Sequence, residues 1–164
     1  MADKFDPNIA GLISGEFTSV ALDEPGGFGE GSPGNLVINE DQPFSINVTW
    51  KMEGPLTPLW LAALGGNWSV SAYAESVGPG PELILKQDSV PVSSAVVNGT
   101  TRTWTHTLVV PAGTLQEENP GNPLGPSGIY RLAVTTFLDS TLGAPGYDII
   151  GFFEGPAIKV ENPV

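Results

Sequence analysis

The sequence predicts an all-β protein, an antiparallel β-sandwich of seven to nine strands with long loops rich in glycine and proline. Apolar and polar residues alternate with a period of two in most segments, as they do in strands with one buried face. The 164 residues include 21 glycines and 16 prolines, so turns are frequent and the strands between them are short. We expect a single domain over residues 1–164, with residues 1–10 as a loosely ordered N-terminal segment.

The period of two recurs along the whole chain. The predicted strands cover residues 15–22, 43–52, 67–77, 82–87, 94–97, 100–110, 128–138, 148–153 and 157–162. The pattern is clearest in the second of them, where alternate positions share one face: Phe44, Ile46, Val48 and Trp50. Asn98–Gly99 separates two strands and is the strongest short sequence signal for a β-hairpin. After this hairpin, apolar residues and His106 share one face and threonines occupy the other.

One short segment departs from the strand pattern. Residues 57–66, TPLWLAALGG, predict a helix of one or two turns that ends at Gly65–Gly66, because consecutive glycines stop a helix. Pro55 and Pro58 argue against a strand at this place. The segment therefore reads as a helical connection between two strands.

The charge and composition of the chain restrict its partners. With 6 basic and 18 acidic residues, the net charge is −12, so the chain repels phosphate backbones and we expect no nucleic-acid partner. The longest mainly apolar run, Leu59 to Leu64, is too short to span a bilayer, so we expect no membrane insertion. The absence of cysteine excludes disulfides, thiolate metal sites and thiol nucleophiles. Because no apolar signal-peptide core follows Met1, we expect a cytoplasmic or non-classically exported protein if Met1 is the native start.

The run GEGSPG, residues 29–34, fits the glycine pattern of a dinucleotide-binding turn. Such a turn needs a helix after the glycines, whose N-terminus faces the pyrophosphate. Here an extended segment and another predicted strand follow instead. Pro33 lies inside the run, and Glu24 and Glu30 add negative charge that repels phosphate. We interpret the run as a surface loop and expect no nucleotide cofactor.

The segment PSGIYRLAVTT, Pro126 to Thr136, is similar to the start of strand F in immunoglobulin-like domains. The resemblance implies that the Tyr130 hydroxyl forms a corner hydrogen bond to the backbone just upstream. It also implies that Trp68 is the core tryptophan of strand C, and it places Leu132 where antibody domains have a cysteine. The chain looks like the cysteine-free relatives, such as fibronectin type III and bacterial immunoglobulin-like modules. A jelly roll or a C2-like sandwich also fits the strand pattern.

Side chains that carry chemistry are few. His106 is the only histidine, and we interpret it as a strand-face residue with a local hydrogen bond, because one histidine without cysteine builds no standard zinc site. The sequence has no G-x-S-x-G nucleophile elbow. We therefore predict no catalytic residue, and carboxylate-based hydrolysis remains the most distant alternative.

Calcium is the one metal for which the loops supply suitable ligands. Calcium prefers oxygen donors, and acidic pairs in loops provide them. The candidates are Asp23, Glu24, Glu117 and Glu118. A third pair, Glu40–Asp41, is similar, but none of the pairs has the spacing of an EF-hand loop. We expect these side chains to be solvated loop charges, with no cofactor bound, and keep calcium as an alternative.

An apolar tip is the predicted binding surface. If the immunoglobulin-like assignment holds, the helical connection and the loop at 139–148 lie at the same end of the sandwich. Their large apolar residues would then meet: Leu59, Trp60, Leu61, Leu142 and Tyr147. Such a tip can bind a partner, or it can fold back as a lid over the core. We favour the lid, because most large apolar residues are buried.

The function we expect is that of a non-enzymatic binding or structural module, acting through a protein partner or through self-association. A carbohydrate- or calcium-binding sandwich is the alternative. Aromatic residues arrayed on one exposed sheet face would favour sugar binding, and converging loop carboxylates would favour calcium. A deep pocket that holds His106 with an acid would favour a hydrolase.

Overall fold

The computed structural model describes residues 2–23, 36–141 and 147–162. Its elements are β1 Ala2–Asp6, β2 Ser14–Asp23, β3 Val37–Asn39, β4 Phe44–Glu53, α1 Thr57–Leu64, β5 Asn67–Ser76, β6 Glu82–Pro91, β7 Val96–Asn98, β8 Thr101–Val110, β9 Ile129–Leu138 and β10 Ile149–Glu161. The structure is 59% strand and 8% helix, which confirms the predicted all-β class. β1 and β3 were not predicted, and the last two predicted strands are one continuous strand, β10.

The strands form two sheets. The four-stranded sheet has the order β2-β4-β8-β7, and the six-stranded sheet has the order β1-β10-β9-β5-β6, with β3 also paired to β10. The pairing of β3 with β10 is parallel and the others are antiparallel. β1 pairs with residues 150–154 of β10 and β3 with residues 159–161, so the two short strands share one flank of β10.

Three tryptophans join the sheets at the centre of the core. Trp50 and Trp104, from the four-stranded sheet, stack with ring centroids 5.9 Å apart. Trp68, from β5 of the other sheet, meets both rings edge-on at 5.8 and 5.1 Å. All three side chains are buried, and the Trp104 indole donates a hydrogen bond to the Val92 carbonyl at 3.1 Å. Offset and edge-to-face aromatic pairs add roughly 0.5–1.5 kcal/mol each beyond the burial of their area.

The N-terminal segment, expected to be loosely ordered, contributes β1 to the six-stranded sheet. Phe5 anchors it, because its ring packs between the sheets against Phe17, with centroids 5.0 Å apart. Gly15 and Gly151 leave the space for this ring, since a Cβ at either position would overlap it. Sequence periodicity misses such a strand because its one anchoring side chain depends on two distant glycines.

The predicted helical connection is confirmed as α1, which joins β4 to β5. Pro58 lies in its first turn, where a missing N–H costs nothing. Gly65 ends it with a φ of 58°, a conformation that favours glycine. Leu61 and Leu64 are buried against the end of the core. No helix among the described residues is both long and apolar enough to cross a membrane.

Candidate functional site

The predicted tip forms in part. The Trp60 indole N–H donates to the Tyr147 carbonyl at 3.1 Å, and the two rings meet with centroids 6.1 Å apart. The Thr141 hydroxyl donates to the Leu64 carbonyl at 3.3 Å, so α1 and the chain leading out of β9 are tied together. Trp60 is half-buried and packs against the core. α1 therefore covers the end of the sandwich.

The residues proposed for partner binding at this tip separate into different environments. Leu59 is 70% exposed and Tyr147 is 48% exposed. Leu61 departs from the prediction of a contact surface, because it is only 5% exposed and helps to anchor α1 on the core. Leu142 lies outside the described residues. What remains at the surface is a shallow apolar cavity of about 170 Å³ beside Trp60 and Tyr147.

Tyr130 and Trp68 occupy the inner side of the six-stranded sheet. The Tyr130 hydroxyl donates to the Gln116 carbonyl at 2.9 Å, and the Gln116 N–H donates to the Tyr130 hydroxyl oxygen at 3.2 Å. Burial raises the pKa of Tyr130, so the hydroxyl keeps its proton as a donor. The bond fixes the long β8–β9 connection to strand β9, fourteen residues along the chain.

His106 contacts an acid across the edge of the sandwich. Its Nε2 lies 2.9 Å from Asp88 Oδ2, and Lys86 Nζ lies 3.5 Å from the other carboxylate oxygen. The hydrogen bond from His106, followed by the field of Lys86, lowers the pKa of Asp88. Because Asp88 belongs to β6 and His106 to β8, this pair ties the two sheets together.

Of the acidic calcium candidates, Glu117 and Glu40 accept hydrogen bonds from backbone N–H groups. Glu117 Oε2 accepts the Asn162 N–H at 2.9 Å, and Glu40 Oε2 accepts the Glu117 N–H at 3.2 Å. Asp23 ends β2, Glu118 is exposed, and Glu24 lies outside the described residues, as does the whole run at 29–34. Within the described part of the chain, no group of three or more histidine or acidic side chains is placed to hold a metal ion.

The outer side of the six-stranded sheet carries an exposed apolar surface that the sequence analysis did not identify. We call it the aromatic face, and its residues are Tyr73, Ile84, Ala133, Phe137, Ile150 and Phe152. Strand register places these residues in three successive rows: Ile84, Tyr73 and Ala133 lie side by side in the first, Phe152 pairs with Thr135 in the second, and Phe137 pairs with Ile150 in the third. An antiparallel sheet with one solvated face normally alternates apolar inward and polar outward. Here six of the outward positions are apolar, among polar ones such as Ser69 and Thr135.

A groove of about 590 Å³ lies on this face, with Ala133 and Thr135 on its floor. Tyr73 and Phe152 line its two sides, each about two-fifths exposed (36% and 40%). Two β-bulges flank it, because the register shifts once between β5 and β6 beside Tyr73 and once between β10 and β9 after Glu154. Bulges bend a strand and increase its local twist, which explains why a sheet face is concave here.

Charged side chains gather at one end of the groove. The lining includes three carboxylates and one cation: Glu75, Glu82, Glu154 and Arg131. Arg131 Nε lies 4.0 Å from Glu154 Oε1, at the limit of an ion pair. The groove is therefore apolar along its length and acidic at one end.

A signal for the aromatic face exists in the sequence, although periodicity conceals it. Tyr73, Phe137 and Phe152 all occupy positions opposite to the core residues of their strands. Large aromatic side chains at outward positions of three strands are the sign of a second apolar surface. Recognising it also requires the knowledge that these strands are neighbours, which the sequence does not contain.

Comparison with known proteins gives a likeness of fold at most. No family model matches the chain, and no curated protein matches it. Among solved structures, the chain is similar to a beta-glucosidase from Listeria innocua in complex with glucose, with a TM-score of 0.46 and 12% identity. The likeness covers 94% of this chain and 17% of that one, so this chain spans less than a fifth of that protein. At this level of similarity, the likeness says nothing about what this chain binds or catalyses.

Proposed function

We propose that this chain is a non-enzymatic, immunoglobulin-like binding module that engages a protein partner through the aromatic face. The single observation that carries the proposal is one groove lined by outward-facing apolar side chains from four strands: Ile84, Tyr73, Ala133 and Phe152. Contiguous apolar patches on a protein surface mark interaction sites, whereas single exposed apolar residues need no explanation. Aromatic side chains are also enriched among the residues that dominate binding energy.

The immunoglobulin-like part of the proposal is supported by topology and by one hydrogen bond. If β2, β4, β7 and β8 are strands A, B, D and E, their order matches the ABED sheet of that fold. The order β10-β9-β5-β6 then matches the GFC sheet with one added strand. The Tyr130 hydroxyl bonds to upstream backbone, as a corner tyrosine at the start of strand F does, but its partner Gln116 is fourteen residues away and not just upstream.

A different protein suits the groove better than a second copy of this chain. Two identical copies meet most often through the same patch on each, so one groove would face another. That contact would bring together two chains that each carry a net charge of −12. Like charges in one interface cost several kcal/mol, on the order of the binding energy that the apolar area supplies.

The test is a selection of random peptides on the immobilised protein. We expect clones that bind the wild type and are lost on Ala133→Gln, which places a neutral polar side chain over the groove floor. Val109→Gln is the matched control, since Val109 is exposed on the outer side of the other sheet. Circular dichroism and melting of both variants establish that they fold.

Three results would overturn the proposal. The first is that no clone is recovered above background, and the second is that the clones bind the wild type and Ala133→Gln equally. The third is a concentration-dependent dimer in sedimentation that Ala133→Gln abolishes, because the occupant of the groove would then be a second copy.

Carbohydrate binding is the second candidate function, and one observation favours it. Three aromatic rings, those of Tyr73, Phe137 and Phe152, lie on one exposed sheet face. Aromatic rings can stack on the apolar face of a sugar ring, so we would expect retention on an insoluble polysaccharide such as cellulose or chitin. Tyr73→Ala should abolish that retention, and Val109→Gln should not. Passage through both matrices without delay would contradict this candidate.

A further inference from the structure

We propose that the segment held in the groove pairs a large apolar side chain with a lysine or arginine two residues away. The inference rests on the proposed function, and it adds the chemistry of the partner. It starts from the end of the groove where Glu75 and Glu82 lie.

Glu75 and Glu82 are register partners on adjacent strands, so two carboxylates stand opposite one another on the outer face. Like charges in this position destabilise a sheet. Among the described residues neither of them forms an ion pair; Arg131 is the partner of Glu75 on β9, and its Nε lies 4.0 Å from Glu154, so one cation faces three carboxylates. The groove therefore presents an excess of negative charge beside an apolar trough, three carboxylates against one guanidinium.

The adjacent row of the face accepts an apolar group. Tyr73 lies opposite Ile84 on one side and Ala133 on the other, and the small side chain of Ala133 leaves the floor open. An apolar side chain placed there would contact the Tyr73 ring and the Phe152 ring across the floor. It would remove from water the part of the aromatic face that the fold leaves exposed.

The spacing between the two rows determines the spacing in the partner. Glu75 follows Tyr73 by two residues along β5, which is about 7 Å at the rise of an extended strand. In an extended partner segment lying along the groove, residues i and i+2 point to the same side at the same separation. A basic residue and a large apolar residue at those positions would reach the carboxylates and the trough together.

The experiment compares synthetic peptides by fluorescence anisotropy at low and high salt. The probe alternates lysine with leucine and phenylalanine on one face, and three twins replace its lysines by glutamate, its lysines by glutamine, or its apolar residues by serine. We expect the lysine–apolar peptide to bind the wild type at least about tenfold tighter than each twin, with the advantage shrinking as salt rises.

Matched variants separate the groove from the general negative charge of the protein. Glu75→Gln combined with Glu82→Gln should weaken the lysine–apolar peptide about tenfold, the loss of one charge-assisted contact. Glu118→Gln combined with Asp139→Asn removes the same charge from exposed positions elsewhere and should leave the affinity unchanged. Ala133→Gln should abolish binding.

Failure of this inference differs from failure of the proposed function. If the glutamine twin binds as tightly as the lysine peptide, and Ala133→Gln abolishes both, the groove binds peptides without regard to charge and only the inference is overturned. If the two double variants lose affinity equally, the attraction is general and the inference is again overturned. If Ala133→Gln binds every peptide as the wild type does, the groove is not the site and both proposals are overturned.

Discussion

The side chains on the outer sides of the two sheets differ in how they are satisfied within the chain. On the four-stranded sheet, the outward positions of β4 and β8 are mainly polar and bond to each other. Thr49 and Thr105 pair at 3.1 Å, and Thr107 donates to Asn47 at 2.7 Å. Lys51 contacts two carboxylates of the same sheet, at 2.9 and 3.0 Å. We call this outer side the threonine face.

The aromatic face has no comparable internal network among its described residues. Four of its apolar side chains line one groove, whereas Val96 and Val109, the exposed apolar residues beside the threonine face, lie in separate rows. Both faces cover the same core, so burial of that core does not explain the difference. The threonine face is hydrogen-bonded within the chain, whereas the aromatic face keeps exposed apolar area beside three carboxylates that share one arginine.

The tip is a second place to look for an apolar recognition surface, because Trp60 also lines an exposed apolar cavity. We expect Trp60→Ala to lower the free energy of unfolding by about 2–3 kcal/mol, less than the roughly 3–5 kcal/mol of a fully buried aromatic, because the ring is half-buried. Leu59→Ala, at an exposed neighbour on the same helix, should stay within about 0.5 kcal/mol. Urea melts measure both. A Trp60→Ala melt like the wild type would make the tip a second apolar recognition surface.

The position of the aromatic face depends on β9, which Tyr130 fixes from the inner side. We expect Tyr130→Phe to cost about 0.5–1.5 kcal/mol, the net worth of the bond to Gln116, because the ring still packs. Tyr73→Phe, on the outer face, should change stability by less than about 0.5 kcal/mol. Denaturant midpoints distinguish the two. An unchanged midpoint for Tyr130→Phe would mean that β9 is held without the corner.

The sequence was most informative where a signal is local. The alternation in β4 and the end of α1 at Gly65 depend on neighbouring residues and appear in the structure as predicted; the predicted hairpin also forms, with its turn at Gly99–Thr100, one residue later than Asn98–Gly99. β3 has three residues and pairs in parallel with a strand more than a hundred residues away, so no local pattern marks it. Short edge strands of this kind form because of tertiary contacts, which a local pattern does not record.

The candidate site was less predictable than the fold for a physical reason. α1 is apolar around most of its circumference, so the sequence could not show that Leu61 turns inward while Leu59 turns outward. The aromatic face combines one or two residues from each of four strands, and the first two strands are far from the last two along the chain. Its members become a surface only when the strand order brings β6, β5, β9 and β10 together.

The edge between the two faces offers a test by pH. The hydrogen bond from His106 lowers the pKa of Asp88 in the folded protein, so the pair contributes stability above the unfolded pKa of about 3.8. That contribution should disappear as the pH falls through the lower folded pKa, and we expect it to be at most about 1 kcal/mol for this partly exposed pair. Asp88→Asn should therefore lose less stability than the wild type between neutral pH and pH 3. Asp139→Asn is the exposed control. If the wild type and Asp88→Asn lose the same free energy of unfolding as the pH falls, this pair does not tie the sheets together.

The smallest expected effect compares the two faces most directly. Neutralising one charge should lower the free energy of unfolding on the threonine face and raise it on the aromatic face. Lys51→Gln leaves Glu16 and Glu53 without their cation, and we expect a loss of about 0.3–0.8 kcal/mol at low salt. Glu82→Gln removes a carboxylate that faces Glu75 across the strands, and we expect a gain of about 0.2–0.5 kcal/mol. Both differences should shrink as salt screens the charges. Replicate urea melts at two ionic strengths resolve these values. A loss of stability in Glu82→Gln would mean that its carboxylate already has a counterpart, and the aromatic face would then be satisfied within the chain as the threonine face is.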